Sequence, residues 1–177
     1  MEFVSLGGNC SVAYQLNNLQ LRYNSYPFDW CRLKINKLIQ VLNNNFAFYE
    51  YIVFKKKSLN HENNIIVKNN YNIEFAHEIV HKYEINEFKL TLLKRIERFR
   101  QLKNPIFIRL ECENLGNNKM ILYQKLEDLL KLYFDNFKII LISKNKYESQ
   151  YTTWYKLPRF SEDWKYNYLD WKDIIFN

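Results

Sequence analysis

Phe3-Val4-Ser5-Leu6-Gly7-Gly8-Asn9-Cys10-Ser11-Val12-Ala13-Tyr14-Gln15-Leu16 is the stretch that decides the fold. Phe3, Val4 and Leu6 make a short apolar strand that stops at Gly7-Gly8. Asn9 can cap a helix, and Val12, Leu16 and Leu19 recur at the spacing of one helical face. A strand that feeds a helix through a glycine turn is the opening of an α/β unit. Cys10 falls at or near the first helical position, directly after the strand.

Working outward, Ser25-Tyr26-Pro27-Phe28 reads as a turn leading to Asp29, an N-cap for a helix that buries Trp30, Leu33, Leu38, Val41 and Leu42. Phe46 to Phe54 reads as extended, Ile65-Ile66-Val67 as a short strand, and Tyr71 to Ala76 alternates like a strand before His77. A helix is expected from Asn86 to Leu102, with Phe88, Leu92, Ile96 and Phe99 on one face. Ile106 to Leu110 and Phe137 to Ile142 are continuous apolar strands, separated by a helix marked by Leu122, Leu126, Leu129 and Tyr133. Continuous apolar strands alternating with amphipathic helices predict an α/β fold: a largely parallel central sheet with helices on both faces. The middle could add antiparallel strands, and the Trp- and Tyr-rich tail from Trp154 reads as irregular packing.

A chain of 177 residues is enough for one well-buried core, so residues 1–177 are expected to form a single domain. Hydrophobic residues at 47% and charged residues at 25% argue against disorder. Abundant Asn, Lys, Ile and Tyr fit an AT-rich genome, cellular or viral. No run is long and apolar enough to span a membrane, and the N-terminus lacks the pattern of a secretory signal. The three cysteines, Cys10, Cys31 and Cys112, are widely spaced and odd in number. They point to free thiols in a reducing cytosol, that of a host if the genome is viral, and not to a disulfide framework. The net charge of +7 permits acidic partners, but the basic residues are scattered and the densest run is Lys55-Lys56-Lys57. That scatter argues against nucleic acid as the partner. Oligomeric state has no signature in the chain.

Reactive groups in open α/β sheets gather where strands end and helices begin. Here those positions carry Cys10, His77, Glu111, Glu113, Asn114 and Ser143-Lys144. At a helix N-terminus, unpaired N–H groups and the helix dipole favour thiolate over thiol and could hold an oxyanion. That makes Cys10 a candidate thiol nucleophile, with Gly8, Asn9 and Ser11 supplying the N–H groups. The alternative is a small buried cysteine beside glycines that serve a tight turn. His77 could be its base, with Asp29, Glu111 or Asn114 as orienting groups. His77-Glu78-Ile79-Val80-His81 also fits H-E-x-x-H, which on a helix would face two histidines toward one zinc ion, with Glu97 as a possible third ligand. The strand-like approach to His77 counts against that. No nucleotide loop or paired C-x-x-C motif occurs, and no cofactor is expected.

Three blocks together suggest a family. Ser5-Leu6-Gly7-Gly8-Asn9-Cys10-Ser11-Val12-Ala13, Ser25-Tyr26-Pro27-Phe28-Asp29-Trp30 and Phe75-Ala76-His77-Glu78 resemble motifs of a family labelled papain-like cysteine peptidases. Lys94 to Phe99 and Phe107-Ile108-Arg109 resemble its basic helix and following strand. The resemblance covers most of residues 1 to 110. It implies Cys10 as nucleophile and His77 as its partner, in Cys-then-His order, with Asp29 as third member. The expected activity is hydrolysis or transfer at an acyl or amide bond of a peptide-like substrate. A zinc hydrolase built on His77, Glu78 and His81, and a non-catalytic binding protein on the same scaffold, are the rival readings.

Overall fold

The computed structural model describes residues 2–57, 65–79 and 84–176. Strand β1 (Phe3–Ser5) leads through Gly7-Gly8 into helix α1 (Ser11–Asn18). Strand β2 (Cys31–Arg32) and helix α2 (Ile35–Asn43) follow, then strands β3 (Ile52–Lys57), β4 (Ile65–Asn69) and β5 (Glu74–Ile79). Helix α3 (Ile85–Arg100) leads to strand β6 (Ile106–Leu110), helix α4 (Lys119–Lys131), strands β7 (Lys138–Ser143) and β8 (Thr152–Lys156), and helix α5 (Trp171–Phe176).

The strands form two sheets of four, ordered β1-β6-β7-β8 and β2-β5-β4-β3. Every pairing in the first is parallel and every pairing in the second is antiparallel. The expectation of one largely parallel sheet is thereby corrected: the middle of the chain builds a sheet of its own. The link from β4 to β5 spans only residues 70–73, and a parallel return needs a crossover of a dozen residues or more. The Asp29 helix is also corrected, since residues 27–30 form a turn and α2 starts at Ile35. Asp29 instead accepts the Tyr26 N–H at 2.9 Å inside that turn. The tail is more ordered than expected, because it supplies β8 and α5.

The parallel sheet buries alternate residues in two separate cores, as strand periodicity requires. Phe107, Ile139 and Leu141 join a large cluster with Leu126 and Leu130 of α4 and Phe99 of α3. Ile108, Leu110, Ile140 and Ile142 join Val12 and Leu16 of α1 with Trp171, Ile174 and Ile175 of α5. Arg109, fully buried, ties the two sheets together. Its guanidinium donates to the Leu6 carbonyl after β1 at 3.0 Å and to the Leu33 carbonyl after β2 at 2.9 Å. Its remaining N–H groups reach the Glu111 carboxylate at 3.2–3.3 Å. A buried guanidinium is tolerated only when its donors are satisfied in this way.

Candidate active site

A cleft of about 1110 Å³ opens at the C-terminal ends of β1 and β6, the edge where α/β sheets bind ligands. Gly8, Asn9 and Cys10 from the β1 turn and Glu111, Cys112 and Glu113 beyond β6 form its floor. Arg32 of β2 with Glu74, Ala76 and His77 of β5 form a second wall. Phe160, Trp164 and Tyr166 form a third, on an irregular strap between β8 and α5.

Cys10 occupies the N-cap position of α1, and Asn9 satisfies the next amide through its side chain, accepting the Ser11 N–H at 2.9 Å. The Ser11 hydroxyl bonds Asn9 Oδ1 and the Trp164 carbonyl. Ser11 is therefore committed to capping and to holding the strap. Among the described residues the N–H groups of Gly8, Asn9 and Cys10 have no partner. Gly8 could be no other residue: its φ is +105°, and a Cβ there would lie 1.9 Å from the Leu110 carbonyl oxygen. The Cys10 side chain is only 7% exposed. Burial pushes its thiol up to about 12, against the pull of Arg32 and with the added push of Glu78 and Glu74. The expectation of an ionised thiol at a helix terminus is corrected on this point. Desolvation outweighs the N–H groups of an eight-residue helix.

His77 reaches the cleft through a bulge. Pairing of β4 with β5 shifts from Val67↔Phe75 to Ile65↔Ile79, so four steps on β5 match two on β4. Phe75 and Ile79 both point into the core. Strict alternation would send His77 inward with them, yet His77 is exposed and lines the cleft with its neighbour Ala76. Bulges re-aim side chains in this manner. Glu78 turns to α3, where Arg95 binds it through two bonds of 2.8 and 2.9 Å. That pairing and the strand backbone undo the zinc arrangement. His77 and Glu78 do not lie on a helix, Glu78 is engaged by a cation, and Glu97 is exposed on α3. His81 lies outside the described residues. Among the described residues no cluster of three metal-binding side chains occurs.

Asp29 is 1% exposed and is not among the residues that line the cleft. Arg22 holds its carboxylate at 3.1 Å, and burial still pushes the group up. Asp29 thus fastens the Tyr26-Pro27-Phe28 turn. Glu111 lines the cleft but is bound by Arg109, and Asn114 accepts the Gly116 N–H at 3.2 Å. Cys31 is fully buried; Cys112 lines the cleft, and burial pushes its thiol up.

Two cleft residues escaped the sequence reading. Trp164 stacks on the His77 ring, with centroids 6.3 Å apart and planes 29° apart, and meets Tyr14 edge-on at 5.2 Å. Nothing local distinguishes it from a packing tryptophan. Arg32 lies two residues after Trp30 and faces the cleft from β2, a strand of two residues too short to be read from periodicity.

Residues 1–147 match the family described as "Putative papain-like cysteine peptidase (DUF1796)". The chain belongs to that family. The match covers the Cys10 turn, the β5 bulge and the Arg109 clamp, and it ends before the strap that carries Trp164. Uncharacterized protein R408 of Acanthamoeba polyphaga mimivirus is 24% identical over 99% of this chain and 97% of its own length. No solved structure matches. No helix among the described residues is long and apolar enough to cross a membrane.

Proposed function

We propose that the chain is a cysteine-dependent hydrolase or acyl transferase, with Cys10 as nucleophile and His77 as its base. The observation that carries this reading is that both side chains line one cleft at the C-terminal edge of the parallel sheet. Walls from both sheets suit one working domain, and free thiols suit a reducing cytosol. The thiol is protonated at rest, so the pair works by general-base catalysis and not from a preformed ion pair. As Cys10 Sγ bonds to the carbonyl carbon, its proton passes to His77. The oxyanion is held by N–H groups of Gly8, Asn9 and Cys10. When the C–N bond breaks, His77 returns the proton to the leaving amine. Water then opens the thioester with His77 again as base, releasing a carboxylic acid and the Cys10 thiol. Trp164 takes the orienting role that Asp29, committed to the turn, does not fill.

Alkylation rates test the pair. At pH 8 Cys10 should react with iodoacetamide roughly 1000-fold more slowly than a free cysteine, because so little of it is ionised. In His77→Ala the rate should fall at least about tenfold further. An unchanged rate in His77→Ala would exclude the pair. The same thiol sets a stability trend. Its neutral form is favoured by folding, so its contribution is complete below about pH 9 and fades as pH rises toward 12. Burial of the thiol also favours a second reading, a non-catalytic binding protein with the same cleft. Activated-ester hydrolysis by the wild-type chain no faster than by Cys10→Ala would select it.

A further inference from the structure

Resting on the reading of the cleft as a Cys10–His77 site, we propose that it takes a peptide or amide substrate with carboxylate side chains beside the bond under attack, recognised by Arg32. The charges on the cleft walls do not cancel evenly. Lys34 is paired with Glu113 at 3.8 Å and Lys68 with Glu74 at 3.6 Å. Glu111 belongs to the buried Arg109. Arg32, Lys37 and Lys56 line the same cleft and form no ion pair among the described residues, while Glu162 is the one lining carboxylate left unpaired there. Lys37 is partly occupied by Gln40, at 3.1 Å.

Arg32 is the most telling of the three. Its backbone lies directly opposite Glu74, its natural cross-strand partner. Glu74 is taken instead by Lys68 from the other side, so the guanidinium stands exposed on the wall beside Cys10. A guanidinium holds a carboxylate through two parallel bonds. Nucleic acid is a poorer fit, because three unpaired cations offset by one unpaired carboxylate make no long cationic track for a run of phosphates. Phe160, Trp164 and Tyr166 offer apolar surface to the rest of a peptide.

Binding to Cys10→Ala protein separates recognition from chemistry, with the wild-type chain as a second host. Blocked hexapeptides of alanine with a central Glu-Glu, Gln-Gln or Lys-Lys pair are compared by titration calorimetry. The Glu-Glu peptide should bind roughly tenfold tighter than the Gln-Gln peptide, and the Lys-Lys peptide weakest. Arg32→Gln should erase that preference and Arg32→Lys should keep part of it. Equal affinity for the three peptides, an Arg32→Gln variant with the preference intact, or tighter binding of an oligothymidylate would each overturn the proposal. Selective Glu-Glu binding in a protein whose alkylation ignores His77 would sustain it and fell only the catalytic pair.

Discussion

Cys10 leaves β1 through a turn with no slack, whereas His77 sits inside β5 on a bulge with residues to spare. In the first region Gly8 packs against the end of β6 and Asn9 accepts the first amide of the following helix, while Arg109 grips the Leu6 carbonyl. In the second, extra residues lie between Phe75 and Ile79, and the ion pair of Glu78 with Arg95 holds them from behind. The parallel sheet thus fixes Cys10 by steric exclusion, and the antiparallel sheet fixes His77 by electrostatics. Steric exclusion fails abruptly and an ion pair fails by degrees, so substitutions in the two regions should differ in kind.

Gly8→Ala should have the largest effect. A Cβ at 1.9 Å from the Leu110 carbonyl oxygen cannot be relieved by a side-chain rotation. The β1 turn must part from β6, at a cost of more than about 4 kcal/mol in urea unfolding. Gly116→Ala is the control: its φ is +57° with nothing within 4 Å of the added atom, so about 1 kcal/mol of backbone strain is all it should cost. Similar losses for the two would mean that the Cys10 turn relaxes, and the contrast between the regions would disappear.

Glu78→Gln should cost less and act locally. Arg95 is 5% exposed, and its Nε has no partner among the described residues. Removing the carboxylate leaves a buried cation with one neutral acceptor, a loss of about 2–3 kcal/mol. Amide exchange should quicken in β5 and α3 while β6 and β7 keep their protection. Exchange rising equally in both sheets would show that the ion pair supports the whole molecule and not the bulge alone.

The same contrast explains what the chain disclosed on reading. The Cys10 turn is written in local residue types: apolar strand, two glycines, a capping asparagine and a periodic helix. β6 and β7 were legible because buried parallel strands are continuous apolar runs, and Ile106 to Leu110 matched the observed strand at both ends. The bulge at His77 was not legible, because it is a mismatch between two strands and neither strand records it alone. Asp29 looked like a helix cap because capping and turn-closing use the same residue types. Arg109 was read as part of an apolar strand, and its role as a clamp appears only when carbonyls 76 and 103 residues away come within 3.0 Å.

Trp164 offers the finest test, because it joins the two regions. It is 40% exposed, so truncation to alanine removes partly solvated packing and should cost only about 1 kcal/mol of stability. Its backbone carbonyl remains available to Ser11, and Gln15 still holds the next carbonyl, that of Lys165, at 2.8 Å. The strap should therefore stay docked while the His77 ring loses the face it stacks on. If that face orients the imidazole, Trp164→Ala lowers the His77-dependent part of Cys10 alkylation roughly tenfold, and Trp164→Phe restores most of it. A structural role alone would lower the unfolding midpoint and leave the alkylation rate where it was. The two measurements diverge only if a bulge on one sheet and a strap following the other cooperate to aim one ring.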